Sequence, residues 1–241
     1  MKRTSKFIFS LFLLLPLVGV AQQDSISVDS IAPVKVKSDR YGIRVGADLY
    51  RIARSFYDDN YQGFEVVGDY RLTKKFYLAA ELGNEEKTTD DERLNFTTNG
   101  SYLKVGFDYN TYENWLDMEN IIHIGLRYGF STFSQKLHSY EIYNQNSYLG
   151  EAPIVAPGQE FDGLNASWIE VVAGVKVEVL NNVFVGFSAR VNRIVSNKQP
   201  DNFSNLFIPG FNRTYDGDFG VGFNYTVSYF IPIYKKSATK K

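Results

Sequence analysis

The chain has 241 residues, with 26 Lys and Arg against 27 Asp and Glu, and no Cys. The absence of thiols excludes a disulfide framework, a zinc site with thiolate ligands and acylation at a lipoprotein cysteine. A formal net charge of -1 provides no basic footprint for nucleic acid, and an aromatic content of 16% with 19 Gly suits a protein of many strands.

The first 21 residues have the pattern of an export signal. A basic start precedes an apolar run over residues 7–20, which ends beside Ala21, a small residue suited to cleavage. The run is short and a polar stretch follows it, so the pattern predicts a Sec signal peptide over residues 1–21 rather than a retained anchor. Residues 22–39 are polar and lack sustained periodicity, which predicts a flexible periplasmic lead-in.

From Arg40 onward, apolar residues alternate with polar residues or Gly in eight segments, each predicted to be a β-strand. The residues predicted to face outward are, strand by strand, Tyr41, Ile43, Val45, Ala47 and Leu49; Phe64, Val66, Gly68, Tyr70 and Leu72; Phe76, Leu78, Ala80 and Leu82; Leu103, Val105, Phe107 and Tyr109; Ile122, Ile124, Leu126, Tyr128 and Phe130; Ile169, Val171, Ala173, Val175, Val177 and Val179; Val183, Val185, Phe187, Ala189 and Val191; Phe219, Val221, Phe223, Tyr225, Val227 and Tyr229. The last strand has the clearest alternation.

The connections between these strands alternate in length. The shorter ones are predicted at residues 73–75, 110–120 and 180–182, and the longer ones at residues 51–63, 84–101, 132–165 and 193–217. Short periplasmic turns and long extracellular loops are typical of outer-membrane barrels, and an even number of strands leaves both chain ends on the periplasmic side.

The second face of the predicted strands carries both signs of charge, together with many Gly. Its charged residues are Arg44, Asp48, Glu65, Asp69, Arg71, Glu81, Lys104, Asp108, Arg127, Glu170, Lys176, Glu178 and Arg190. Gly packs poorly on a solvated strand face. Inside a narrow barrel, however, small residues make room for long charged side chains that pair with one another.

A soluble barrel of the lipocalin kind would use the same alternation with its two sides exchanged. The glycines on the charged face favour the membrane protein. The sequence therefore predicts an all-β fold, an eight-stranded antiparallel up-and-down transmembrane β-barrel over residues 40–234 behind an N-terminal signal peptide. Residues 235–241 are predicted to form a basic periplasmic tail.

Few residues are candidates for chemistry. Two His are too few for an elaborate metal site; His123 is predicted to face the lumen as a hydrogen-bonding group, and His138 to belong to a long loop. With Ser139 and Glu141, His138 provides the residue types of outer-membrane lipid A hydrolases. Adjacent residues on a strand point to opposite sides, however, so we predict no catalytic, cofactor-binding or metal site.

The longest predicted loop is rich in Tyr and Asn. Its candidate contact residues are Tyr140, Tyr143, Asn144 and Tyr148. This composition suits contact with a glycan or a protein as well as plain loop packing.

Four stretches resemble an uncharacterised Bacteroidota family of small outer-membrane β-barrel proteins, defined as a domain of unknown function. They are Gly63–Lys87, Tyr102–Asn120, Gly125–Ser134 and Pro200–Tyr229. The resemblance covers nearly all of residues 40–234. It implies the barrel fold and a place in the cell outer membrane, and it brings no catalytic residues.

We therefore predict a non-enzymatic barrel with a filled lumen, since eight strands enclose only enough space for side chains. It is expected to act as a structural or partner-docking protein of the cell envelope, linked to outer-membrane assembly or maintenance. The expected partners are outer-membrane lipids, the barrel-assembly machinery that inserts it and an envelope protein. Two alternatives stay open: an enzyme that acts on lipid A or phospholipid, and a narrow channel for small solutes.

Overall fold

The computed structural model describes residues 38–114, 119–141, 154–200, 204–213 and 218–237. The predicted signal peptide lies outside these ranges, as do residues 22–37 of the lead-in and three candidate contact residues, Tyr143, Asn144 and Tyr148.

The described residues form strands and a short helix. In chain order the elements are β1 (Ser38–Asp48), α1 (Leu49–Tyr57), β2 (Tyr61–Arg71), β3 (Phe76–Asp91), β4 (Leu94–Asn110), β5 (Ile121–Glu141), β6 (Ile154–Val155), β7 (Gln159–Leu180), β8 (Val183–Asn197), β9 (Phe207–Ile208), β10 (Asn212–Arg213) and β11 (Phe219–Ser237). Eight of these strands pair antiparallel in the ring β1-β2-β3-β4-β5-β7-β8-β11, and β11 closes it on β1. The predicted eight-stranded up-and-down barrel is thus confirmed, within the described ranges.

The closing pair β1–β11 removes the free edges that an open sheet would expose. It runs from Ser38 opposite Ser237 to Asp48 opposite Thr226, with a register shift beside Tyr41. Tyr41 was predicted to face outward, but it is only 6% exposed. The irregular pairing there lets its ring stack on Tyr234, with 5.2 Å between the ring centroids. β11 also continues through Lys235 and Lys236, which were predicted to belong to a tail.

The strands on one side of the barrel are longer than predicted. Residues 84–101 were predicted to form a loop, but they belong to the hairpin of β3 and β4, which turns only at Glu92 and Arg93. Likewise β5 runs to Glu141 and β7 begins at Gln159. The outward positions of this region are mainly Thr and other polar residues, so the apolar outward row stops there although the backbone pairing continues. We call this part of β3, β4, β5 and β7 the upper sheet.

The outer surface of the barrel below the upper sheet is apolar. Every residue predicted to face outward is exposed or half-buried except Tyr41. Leu49 is exposed too, but it lies on α1 rather than on the first strand, where it was predicted. Leu78, Val171 and Val221, for example, are 53%, 52% and 65% exposed. We call this surface the apolar belt.

Gly106 faces the lumen on β4 at a point of very close contact between strands. A Cβ atom at this position would overlap the carbonyl oxygen of Leu126 on β5. We expect Gly106→Ala to lower the free energy of unfolding by about 1–3 kcal/mol, because the backbones of two paired strands would have to separate. Urea titration of the refolded barrel, followed by Trp fluorescence, measures this change.

Gly68→Ala is the matched control, because the added Cβ would meet its nearest atom, the Arg44 carbonyl oxygen, at an ordinary 3.5 Å. Both substitutions restrict the unfolded chain in the same way. Equal stability of the two variants would contradict the steric role of Gly106.

Candidate functional site

The lumen is filled by ion pairs, which begin at the end of the barrel that holds the short turns. Arg40 donates from Nε and Nη2 to the two carboxylate oxygens of Glu119, at 3.0 and 2.8 Å. Its Nη1 donates to Asn182 Oδ1 at 2.7 Å, and Glu178 Oε1 lies 3.3 Å from Nη2. Arg71 donates to the Arg40 carbonyl oxygen at 2.7 Å. These contacts connect β1, β2 and β7 with the turn before β5.

The next set of contacts lies on the inward faces of β1, β2, β4, β5 and β7. Asp69 accepts from Arg44 Nε at 2.8 Å and from Lys176 Nζ at 2.7 Å. Asp108 accepts from Arg127 Nη2 at 2.7 Å and lies 3.6 Å from Lys176 Nζ. Each carboxylate therefore faces two cations, and each pair joins different strands.

The central contacts surround Glu81 and Glu170. Arg190 Nη1 donates to both carboxylates, at 2.8 and 3.1 Å. Lys104 Nζ lies 3.5 Å from Glu81 and 3.2 Å from Glu170, and Arg127 Nε lies 3.6 Å from Glu81. All five side chains are buried. Because a low dielectric makes an unpaired charge costly, this alternation of signs is what permits their burial.

Above the centre, a polar network extends to the helix. Glu65 accepts from Asn224 Nδ2 at 2.6 Å and from the Tyr102 hydroxyl at 2.7 Å. Asn224 also donates to Asp48 at 2.8 Å. Arg51 of α1 lies 3.3 Å from Asp48 and 3.5 Å from Glu65. A side chain from outside the ring of strands therefore completes this part of the lumen.

A short segment between β8 and β11 closes the upper mouth. It contains β9 and β10, and the turn between them includes Gly210, whose φ of 82° lies in the region that favours Gly. The Gly210 N–H donates to Glu85 at 2.6 Å. The ring of Phe211 is fully buried and lies edge-on to Trp168, with the centroids 5.8 Å apart. We call residues 207–213 the cap.

An apolar cluster holds the cap in the mouth. Its buried members are Tyr102, Phe133, Leu164, Ala166, Trp168, Ile208 and Phe211. The cap was predicted to be part of the loop over residues 193–217. The apolar segment from Leu206 to Phe211 could have indicated the cap, because solvated loops are mainly polar.

The structure places every predicted lumen charge on the inward face of the ring or at its rim. Arg71, Lys176 and Glu178 are half-buried, and the others are buried. Four further charged residues take part in the lumen contacts without having been predicted there, which are Arg40, Arg51, Glu85 and Glu119. Glu85 lies on the same face of β3 as Glu81, four residues earlier, so extending the predicted strand to Glu85 would have identified it.

The lumen retains a small cavity of about 40 Å³. Arg44, Asp69, His123 and Lys176 are among its lining residues. Since one water requires about 10–15 Å³ of such space, the cavity suits a few waters rather than an organic ligand. His123 is buried, and its Nε2 lies 3.9 Å from Asp108.

His138 lies on β5, whereas the sequence predicted a loop for it. Its Nε2 is 2.9 Å from Thr97 Oγ1, and Glu141 is 3.8 Å from Arg93. These contacts direct His138 and Glu141 to partners other than Ser139. Among the described residues, no group of three His, Cys, Asp or Glu is arranged to hold a metal ion.

Tyr140 is the candidate contact residue that the described ranges include. It is half-buried on β5 and packs against a second apolar cluster, formed by Phe96, Leu137 and Phe207. Tyr140 therefore contributes to packing at the upper sheet.

In the part of the chain that the structure describes, no helix has the length and apolar character needed to cross a membrane.

Residues 4–236 match the family described as Domain of unknown function (DUF6048). No curated protein matches the chain. A crystal structure of Ail, the attachment invasion locus protein of Yersinia pestis, matches with a TM-score of 0.42 and 11% identity over 79% of this chain and 97% of Ail. Another, of Ail in complex with the heparin analogue sucrose octasulfate, matches with a TM-score of 0.37 and 12% identity over the same shares.

Proposed function

We propose that this chain, which belongs to the family described as Domain of unknown function (DUF6048), is an outer-membrane barrel with a closed lumen. In this proposal it serves the cell envelope as a structural or partner-docking protein linked to outer-membrane assembly or maintenance. The observation that carries the proposal is the combination of an apolar belt with a lumen filled by paired charges.

The distribution of polarity between the two faces supports a membrane location. A soluble barrel buries its apolar face and exposes its charges, whereas here the charges are buried and the belt is exposed. A continuous apolar surface of this kind exceeds what monomeric soluble proteins usually expose to water. Lipid is the medium in which such a belt is stable.

The sequence pattern supports two further parts of the proposal, which are export by the Sec pathway with residues 1–21 as the signal peptide and insertion by the barrel-assembly machinery. The resemblance to a Bacteroidota family supports a source among the Bacteroidota. Mass spectrometry of the N-terminal peptide of the protein purified from outer membranes tests the cleavage site. A start at Gln22 is expected, and an intact Met1 would contradict the signal peptide.

The ion pairs and the cap lead to a prediction for conductance. We expect the purified protein to give no steady single-channel current in planar bilayers, because successive sets of paired side chains and the cap occupy the lumen. A porin of known conductance, reconstituted in the same lipids, is the positive control. Steady openings of the wild-type protein would contradict the closed lumen and favour the channel for small solutes.

The upper sheet supports a docking role. Its strands remain paired well beyond the apolar belt, as Asp91 opposite Leu94 and Leu137 opposite Gln159 illustrate. A rigid polar sheet outside the membrane offers a surface for a protein, and binding sites are often carried by such extensions of a scaffold.

Site-specific photo-crosslinking in the native envelope tests this docking role. A crosslinker at Asn99, which is exposed on the upper sheet, is compared with one at Lys74, in a turn at the opposite end. We expect the crosslinker at Asn99 to give an adduct with a single envelope protein, while those at Lys74 and at Leu126 in the belt give none. Absence of an adduct at Asn99 would contradict docking through the upper sheet.

The proposal is also that the protein is not an enzyme. The contacts of His138 with Thr97 and of Glu141 with Arg93 support this, because they direct the candidate base and carboxylate away from Ser139. Mass spectrometry of lipid A and phospholipids from deletion and parent strains is expected to give identical profiles. A product that is lost in the deletion strain would contradict it.

A further inference from the structure

Helix α1 has an apolar face that points away from the barrel. Leu49, Phe56 and Tyr57 are 44%, 85% and 68% exposed, and Ala53 is exposed between them. At 3.6 residues per turn these positions lie on one side of the helix.

The opposite, polar face of α1 is directed into the rim of the barrel. Arg51 is buried there, and its Nε donates to the Tyr102 hydroxyl at 2.7 Å and lies 3.3 Å from Glu85. Ser55 Oγ accepts from the Gly63 N–H at 2.9 Å. A surface helix of a soluble protein turns its apolar stripe towards the core. This helix does the reverse, which indicates an apolar medium on its outer side.

The apolar face of α1 is continuous with the apolar belt. The Tyr50 ring lies 4.7 Å from the ring of Phe223, a belt residue on β11. Leu49 follows directly on β1, whose outward row includes Val45 and Ala47. The exposed side chains of the helix therefore extend the lipid-facing surface at the upper edge of the barrel.

Both ends of α1 are fixed, so the helix is not free to turn its apolar face inward. At the start, the Asp48 carboxylate accepts from the Tyr50 N–H at 2.9 Å. At the end, Arg54 donates two hydrogen bonds of 3.0 Å to Asp58, and Lys87 donates one of 3.2 Å. Although burial acts in the opposite direction, these hydrogen bonds hold the pKa of the Asp58 carboxyl below its ordinary value.

We infer that α1 is a lipid-binding helix, which lies in the headgroup boundary of the outer leaflet and places Leu49, Phe56 and Tyr57 among the acyl chains. The inference rests on the proposed membrane location. A short helix with an apolar face and a charged opposite face is suited to this boundary, and aromatic side chains favour it. Since the strands already carry the belt around the ring, the helix adds an anchor on the side of β1, β2 and β11.

Fluorescent labelling tests this inference, because the chain has no native Cys. A bimane label is attached at Phe56→Cys on the helix, at Val171→Cys in the belt and at Asp59→Cys, an exposed position just after the helix. Each labelled protein is refolded into phosphatidylcholine vesicles with or without bromine on the acyl chains. We expect brominated lipid to quench the label at position 56 to an extent comparable with position 171. The label at position 59 should instead be quenched by aqueous iodide.

Each other result overturns the inference in a recognisable way. If the label at position 56 behaves like that at position 59, the helix face lies in water. If it is shielded from bromine and iodide alike, protein covers the face, and dipolar broadening of a nitroxide at Phe56→Cys would identify a second copy as the occupant. If the label at position 171 is itself not quenched by brominated lipid, the proposed membrane location fails, independently of the helix.

Discussion

Replacing Glu81 with Ala is expected to lower the free energy of unfolding by about 3–5 kcal/mol, the cost of leaving buried charges without their partner. Glu81 lies 2.8 Å from Arg190, 3.5 Å from Lys104 and 3.6 Å from Arg127. Glu170 still contacts Arg190 and Lys104, and Asp108 still contacts Arg127, but the cluster loses the carboxylate that lies against all three cations. Urea titration of the refolded barrel in lipid vesicles, followed by Trp fluorescence, measures the difference.

Two further variants make the Glu81 result interpretable. Glu160→Ala removes an exposed carboxylate from the upper part of β7 and is expected to change the stability by no more than about 0.5 kcal/mol. Glu81→Gln keeps the shape and a hydrogen-bonding oxygen but removes the charge, so its free energy of unfolding should lie between those of wild type and Glu81→Ala. It also provides the measurement if the Ala variant does not fold. A Glu81→Ala protein as stable as Glu160→Ala would mean that water, rather than ion pairing, stabilises the lumen.

Replacing Val175 with Arg is expected to destabilise the inserted barrel by about 2–4 kcal/mol, the cost of a cation on the lipid face at mid-bilayer. Val175 is 38% exposed and lies opposite Ile122 on β5 and Phe187 on β8, so it is surrounded by other belt residues. The measurement is again the unfolding free energy in vesicles, with the yield of folded barrel as a second readout.

Thr132→Arg is the matched control for position 175. Thr132 is exposed on β5, beyond the belt residue Phe130 on the same outward row. Near the interface the cost of Arg falls to about 0–1 kcal/mol, so the two substitutions should differ clearly. Equal and small effects at the two positions would favour a soluble barrel whose outer face meets water.

The amino-acid sequence was sufficient to predict the ring of strands and the inward side of the charges on the alternating segments. Both follow from period-two alternation, because a strand sends successive side chains to opposite faces. Glu81 and Arg190 thus occupy inward positions of this alternation. The alternation does not predict that these two side chains meet, since their contact depends on the strand register around the whole ring.

Helix α1, the upper sheet and the cap could not be predicted from the alternation, because contacts between residues far apart along the chain stabilise each of them. Helix α1 has nine residues, too few to be stable alone. It depends on the hydrogen bond of the Asp48 carboxylate at its N-terminus and on the contacts of Arg51. The outward positions of the upper sheet are polar, and its inward face is buried against the cap, as the cluster of Phe96, Leu137 and Phe207 shows. The cap is fixed by burial of Phe211 against Trp168 and by the hydrogen bond from Gly210 to Glu85.

The lumen contacts join residues that are far apart along the chain, and this has a consequence for the order of folding. Arg190 and Glu81 are separated by 109 residues, and Asn224 and Asp48 by 176. Individual hairpins can pair their backbones early, but these side chains find their partners only when the first and last strands come together. Such non-local contacts slow folding. An incompletely closed chain would carry unpaired charges, so ring closure and the formation of the ion pairs are expected to occur as one cooperative, late step.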